Sequence, residues 1–178
     1  MESSGSLVER MMGAARLDVA TYEEVEKDTN ATSQAAIVVV LAAVATGIGS
    51  LGDGAAGLFG GIIGGILGWV IFAAAAYFVG TRLLAASATE ADMGQLLRTV
   101  GFAYTPSLLR VLGFIPVLGW ILWLVAGIWV IVTTVIALRQ ALEMSTGRAI
   151  ATGIIAAILN GIVLSIIYAI LSISTPGT

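Results

Sequence analysis

The sequence predicts an all-α fold: a polytopic integral membrane helical bundle with five transmembrane helices behind short cytoplasmic N-terminal amphipathic helices. Three observations predict it. Of 178 residues, 58% are hydrophobic and 11% charged, with a mean hydropathy of +1.03, whereas a soluble domain carries about 25% charged residues. The apolar residues fall into stretches of spanning length, about 20 residues each. Seven of the eight Lys/Arg residues lie in alternate gaps: Arg10, Arg16 and Lys27 before the first stretch, Arg82 and Arg98 after the second, Arg139 and Arg148 after the fourth. Positive charge retained on one side sets orientation, so the N-terminus is expected in the cytoplasm and the C-terminus outside.

The first unit is residues 1–33, a cytoplasmic helical segment. Leu7, Met11 and Ala15 recur at helical spacing opposite Glu9, Gly13 and Arg16, giving a short amphipathic helix that lies in the interface plane or packs on the cytoplasmic loops. Thr21-Tyr-Glu-Glu24 reads as a capping box opening a second helix. Its acidic cluster, Asp18, Glu23, Glu24, Glu26 and Asp28, lacks calcium-loop spacing and reads as a solvated helix face, with Glu23 and Lys27 placed to pair.

The five-span domain is 34–173, with spans at about 34–50, 57–80, 95–113, 116–138 and 149–173. Asn30 or Thr32 caps the first span, which acts as an uncleaved signal anchor. The Gly-rich gap around Asp53 forms a tight outer loop. The third span opens at the overlapping capping boxes Ser87-Ala-Thr-Glu90 and Thr89-Glu-Ala-Asp92 and is kinked at Pro106, which lacks an N–H. Thr105 stands beside Phe102, whose carbonyl Pro106 leaves without its donor, and is placed to satisfy it. A re-entrant third segment with four true spans would put Arg139 and Arg148 opposite Arg82 and Arg98, so the charges favour five. Pro116 begins the fourth span at a favoured first helical position. Residues 174–178 are a short extracytoplasmic tail.

The chain has no His and no Cys, which excludes imidazole bases, thiol nucleophiles and the usual zinc ligands. The net charge of −3 and the absence of a basic cluster argue against a nucleic-acid partner. No catalytic, cofactor or metal residue is expected, and an enzyme is disfavoured.

Three groups remain as candidate sites. Gly57, Gly61 and Gly65, with Gly60, Gly64 and Gly68, are spaced by four and let another helix approach closely, within the bundle or across a homodimer seam. Arg110 is twelve residues after Arg98, or about 18 Å along a helix. It therefore lies above the midplane, where it either snorkels outward or serves a lipid headgroup or substrate anion. With it go Pro106 and Asn160, the latter costly to leave unpaired in a membrane. The third group is the cytoplasmic motif Arg139, Ser145, Thr146, Gly147 and Arg148.

Gly101-Phe-Ala-Tyr-Thr-Pro-Ser-Leu-Leu109, Ile115-Pro-Val-Leu-Gly119, Gly127-Ile-Trp129 and Leu138-Arg-Gln-Ala-Leu-Glu-Met-Ser-Thr-Gly-Arg-Ala149 resemble the Yip family of Ypt/Rab-interacting membrane proteins, in its short bacterial branch. The resemblance covers about residues 8–173. It implies five spans, a cytoplasmic N-terminus and a bacterial inner or plasma membrane. Eukaryotic members act in vesicle traffic through Rab GTPases, but their Asp-Leu-Tyr-Gly-Pro motif is missing here, which argues against Rab binding.

The function expected is a non-enzymatic membrane scaffold or adaptor, organising the membrane or binding protein partners at its cytoplasmic face. The alternative is a small transporter, channel or lipid-translocating protein. Partners are membrane lipids, with a second copy or other membrane proteins beside them.

Overall fold

The structure, a computed structural model, describes residues 5–85 and 91–174. Seven α-helices appear among these: α1 (Leu7–Ala15), α2 (Val19–Lys27), α3 (Ala31–Gly49), α4 (Gly54–Phe78), α5 (Met93–Ala103), α6 (Leu118–Ala141) and α7 (Thr146–Ser174). A π-helical turn, Val79–Leu83, extends α4, and a 3₁₀ segment, Thr105–Phe114, follows α5.

Four helical stretches among the described residues are long and apolar enough to cross a membrane: Ala31–Gly49, Gly54–Leu83, Leu118–Ala141 and Thr146–Ile170. The expected third span is not one kinked helix. Its α-helix stops at Ala103, and the chain continues as a 3₁₀ segment with Pro106 in its first turn. The missing Pro N–H explains the break, since the α-helical donor to the Phe102 carbonyl is absent. Thr105 Oγ1 donates to that carbonyl at 2.7 Å, and Thr133 Oγ1 on α6 donates to the Ala103 carbonyl at 2.8 Å. Side chains thus take over backbone acceptors that would be costly to bare in hydrocarbon. The two pieces together extend about 35 Å. They follow α3 from the level of Thr32, which Arg98 reaches, to the level of Gly49, beside Gly113.

Other boundaries move for local reasons. The α2 helix begins two residues before Thr21. Its cap is Asp18, which accepts from Ala20 N and Thr21 Oγ1, so the box read at Thr21–Glu24 is not the one used. Asn30 occupies the cap of α3 but makes no side-chain cap bond. α6 starts at Leu118 rather than Pro116, because Val117 takes a left-handed φ of 65°. The boxes read at Ser87–Glu90 and Thr89–Asp92 include residues outside the described ones; α5 is capped by Asp92 reciprocally with Gln95.

Central in the bundle is α3, whose buried positions are Ala, Val and Gly. Small residues matter here because lipid tails are as apolar as Leu, so helices associate through close van der Waals packing. The two glycine rows of α4 face different neighbours. A methyl group added at Gly61 would lie 2.8 Å from Gly47 Cα, and one at Gly65 would lie 2.9 Å from Ala43 Cβ, both on α3. At Gly60 and Gly64 it would meet only the Tyr168 hydroxyl of α7, at 3.9 and 3.1 Å, and at Gly68 Leu164 and Asn160 of α7. Gly57, in the first row, is half-buried.

The α1–α2 hairpin docks along α6. Trp129, midway along α6, donates from Nε1 to the Ala15 carbonyl at 2.8 Å. Gln140, at the end of α6, donates to Glu23 at 3.0 Å. The hairpin therefore covers about 16 Å of α6. The amphipathic α1 packs into the bundle, exposing only Val8 and Met12 of its larger apolar side chains. Its C-terminus closes as a Schellman motif, Asp18 N to Gly13 O and Leu17 N to Ala14 O, with Leu17 in the left-handed position.

The packing difference between the rows gives a direct test. Gly61→Ala should destabilise the bundle by about 1–3 kcal/mol, because the methyl meets backbone that has no room to move, while Gly60→Ala should be near neutral. Thermal unfolding in detergent should separate the two variants clearly.

Candidate functional site

Charged groups gather at one end of the bundle. Arg10 is 2% exposed and bonds Glu24, Asp28 and Gln34, with Asp28 Oδ2 at 2.6 Å. The Arg10 hydrogen bond holds the Asp28 carboxyl below the usual carboxylate range. Arg98 of α5, 5% exposed, donates to the carbonyls of Val25 (3.0 Å) and Glu26 in the last turn of α2, and to Thr32 Oγ1 of α3. Those carbonyls are left without intrahelical donors and carry the negative end of the helix dipole, so a guanidinium suits them.

The acidic cluster is a solvated face in part, with Asp18, Glu23 and Glu24 exposed, but each of its residues is also bonded. Asp18 caps α2, Glu24 and Asp28 hold Arg10, Glu23 accepts from Gln140, and Glu26, 8% exposed, accepts from Gln95 at 3.2 Å. Glu23 is not ion-paired with Lys27; the only ion pairs among the described residues are those of Arg10.

Between α2 and the α6–α7 turn lies a polar recess of about 610 Å³. Arg139, Ser145 and Thr146 of the predicted motif line it, together with Glu23, Glu26, Lys27, Gln140 and Glu143, which the sequence did not mark as a set. Gly147 and Arg148 do not join them: a methyl at Gly147 would meet nothing within 4 Å, and Arg148 points to the Ala85 carbonyl at 3.4 Å. The turn itself is a second Schellman motif, Met144 N to Arg139 O and Glu143 N to Gln140 O. Its left-handed position, usually Gly, is held by Glu143 with φ 46°. Burial, then the nearby Glu143 carboxylate, push the Glu26 carboxyl above its usual range.

A second, apolar groove of about 730 Å³ opens between α6 and α7. Val130, Ile131 and Ile136 face Ile150, Ile154 and Ala157 across it, with Phe72, Tyr104 and Asn160 also in its wall. Thr146 belongs to both cavities. The Asn160 amide carbonyl oxygen is buried with no donor.

Arg110 lies apart from the recess. Its guanidinium stacks 4.8 Å from the ring centre of Trp123, and a methyl at Gly127 would lie 3.9 Å from its Nη2. It thus turns to the inner side of α6's first turns rather than outward to Leu118, held by cation–π attraction. Its Nε is buried without an acceptor, as is Ser107 Oγ nearby in sequence. Pro106 is buried in the 3₁₀ segment and shapes the path of the chain to Arg110. Among the described residues no three His, Cys, Asp or Glu are grouped to hold a metal ion.

Exposed Ile37, Leu41, Phe59, Ile63, Ile131, Ile158 and Ile166 sheathe the long helices. So much apolar surface is stable only against lipid; with charge gathered at one end, it defines a polytopic helical membrane protein. Residues 19–167 match the family described as the Yip1 domain, and the chain belongs to that family. No curated protein and no solved structure matches it significantly.

Two carboxylates of the recess stand in unfavourable positions, which predicts gain on their removal. Glu26 has a folded-state pKa above its unfolded value. Its contribution is complete at low pH and is lost as pH rises through the folded value. Glu26→Gln should therefore match the parent near about pH 4 and melt higher near about pH 7. Glu143→Gly should stabilise by about 1 kcal/mol by removing a left-handed side chain. Melting curves across pH check both.

Proposed function

We propose that this Yip1-domain protein is a non-enzymatic membrane scaffold whose N-terminal hairpin face, on the cytoplasmic side, binds protein partners or organises lipid. The observation that carries this reading is the rigid attachment of the hairpin. Arg98 ties the end of α2 to α5 and α3, Arg10 ties α1 to α2 and α3, and Trp129 and Gln140 tie the pair to α6. A surface preformed in this way binds without a further ordering cost. The charge distribution, with seven Lys/Arg in the gaps read as inward, supports the cytoplasmic placement.

Transport of a small anion or lipid is the second reading, supported by the inward-turned Arg110 and its bare Nε. A buried guanidinium in a membrane is costly and often functional.

Photo-crosslinkers at the exposed Glu9 and Ala20 test the first reading in intact cells. Discrete protein adducts are expected from both positions, lost in Arg98→Ala, with none from the lipid-facing Ile162. Hydrogen exchange should show α1 and α2 released in Arg98→Ala while α4 and α7 stay protected. Solute flux in proteoliposomes that Arg110→Ala abolishes, with no hairpin adducts, would overturn the scaffold in favour of transport.

A further inference from the structure

We propose that the polar recess and the α6–α7 groove form one binding site for a single phospholipid with a zwitterionic, primary-amine headgroup. The inference rests on the membrane location of the bundle and is independent of partner binding at the hairpin.

The two cavities adjoin. Thr146, the first residue of α7, lines both the charged recess and the lower end of the apolar groove. One amphiphile can therefore place its head in the first and a chain in the second. Volumes of about 610 and 730 Å³ are of the size that holds small organic ligands.

The recess chemistry selects the head. It contains both signs of charge, and among the described residues none of its charged side chains is ion-paired. Lys27 and Arg139 remain available to a phosphate; Arg139 commits only Nε, to Gln140 at 3.1 Å. The start of α7 adds the partial positive charge of a helix N-terminus on the same side. Glu23 and Glu26 commit only Oε1, to Gln140 and Gln95, which leaves their second oxygens and the Glu143 carboxylate to an ammonium. Three carboxylates against two cations disfavour a purely anionic head, and carboxylate acceptors favour an amine with N–H donors over a quaternary one. Glu143 supports this independently: it occupies a left-handed position where Gly would be easier, and its carboxylate lines the recess.

The groove walls fit an acyl chain better than a partner helix. Helices associate in membranes through small residues; Gly153 and Ala157 are small, but half of the groove's lining residues are Val or Ile, with Phe72 and Tyr104 beside them, and the glycine rows of α4 already pack against α3 and α7.

The test uses the purified full chain, stripped of lipid in detergent and titrated by native mass spectrometry. Phosphatidylethanolamine, phosphatidylcholine and phosphatidylglycerol of identical chains are the probes. One phosphatidylethanolamine should be retained about tenfold more tightly than either of the others. Ala157→Phe, at an exposed position in the groove, should reduce retention of all three. Glu143→Gly should erase the headgroup preference while the fold is kept, as its melting temperature verifies. Ile162→Phe, on the lipid-facing surface, should change nothing. Equal retention of the three lipids, or retention indifferent to Ala157→Phe, would mean annular lipid only and overturn the site. A dimer mass lost specifically in Ala157→Phe would also overturn it, assigning the groove to a second copy.

Discussion

Arg98 donates to the last carbonyls of α2 from a position on α5 that is almost fully buried, and reaches Thr32 on α3 with its remaining nitrogen. Three helices meet at this one guanidinium. A buried charge is tolerated only when its donors are occupied, and here helix-end carbonyls, themselves needing donors, occupy them. The arrangement fixes where α2 ends relative to α5. That in turn sets the slant of the hairpin along α6, brings Glu23 to Gln140 and encloses the recess with the α6–α7 turn.

The broken third segment answers a different constraint. A helix with Pro at 106 leaves carbonyls open, which is costly in hydrocarbon, and the protein closes them with the Thr105 and Thr133 hydroxyls. The 3₁₀ segment that follows rises further per residue than an α-helix, so a short stretch runs the length of α3. Close packing by Gly49, Gly113 and Gly119 makes this possible, since a methyl at any of them would collide with neighbouring backbone. Arg110 is presented on this segment, its side chain turned to Trp123.

The recess and the groove hold several unfavourable local choices, as does the segment that carries Ser107 and Arg110. Glu143 holds a left-handed backbone, Glu26 is buried beside another carboxylate, and Asn160 leaves an oxygen without a donor. Unfavourable local choices of this kind are a common mark of selection for something other than stability.

The sequence by itself determined the helical membrane class, four of the long apolar stretches, the family resemblance, a disturbance at Pro106, read as a kink and not as the end of the α-helix, and the role of Thr105. These are one-dimensional properties: hydropathy over a window, a missing N–H, and a hydroxyl three residues from the carbonyl it serves. The small-residue spacing on α4 was also legible, but not that its two rows serve different helices. Only the tertiary structure decided that Arg139, Ser145 and Thr146 separate from Gly147 and Arg148, that the members of the acidic cluster have the bonding partners they do, and that Arg110 turns inward. Each depends on contacts between distant segments, such as Arg98 with Val25 73 residues away and Gln140 with Glu23 117 residues away. A charged side chain shows its formal charge in the sequence, but its partner is chosen by which backbone ends and cavities the packed helices bring within about 3 Å of it.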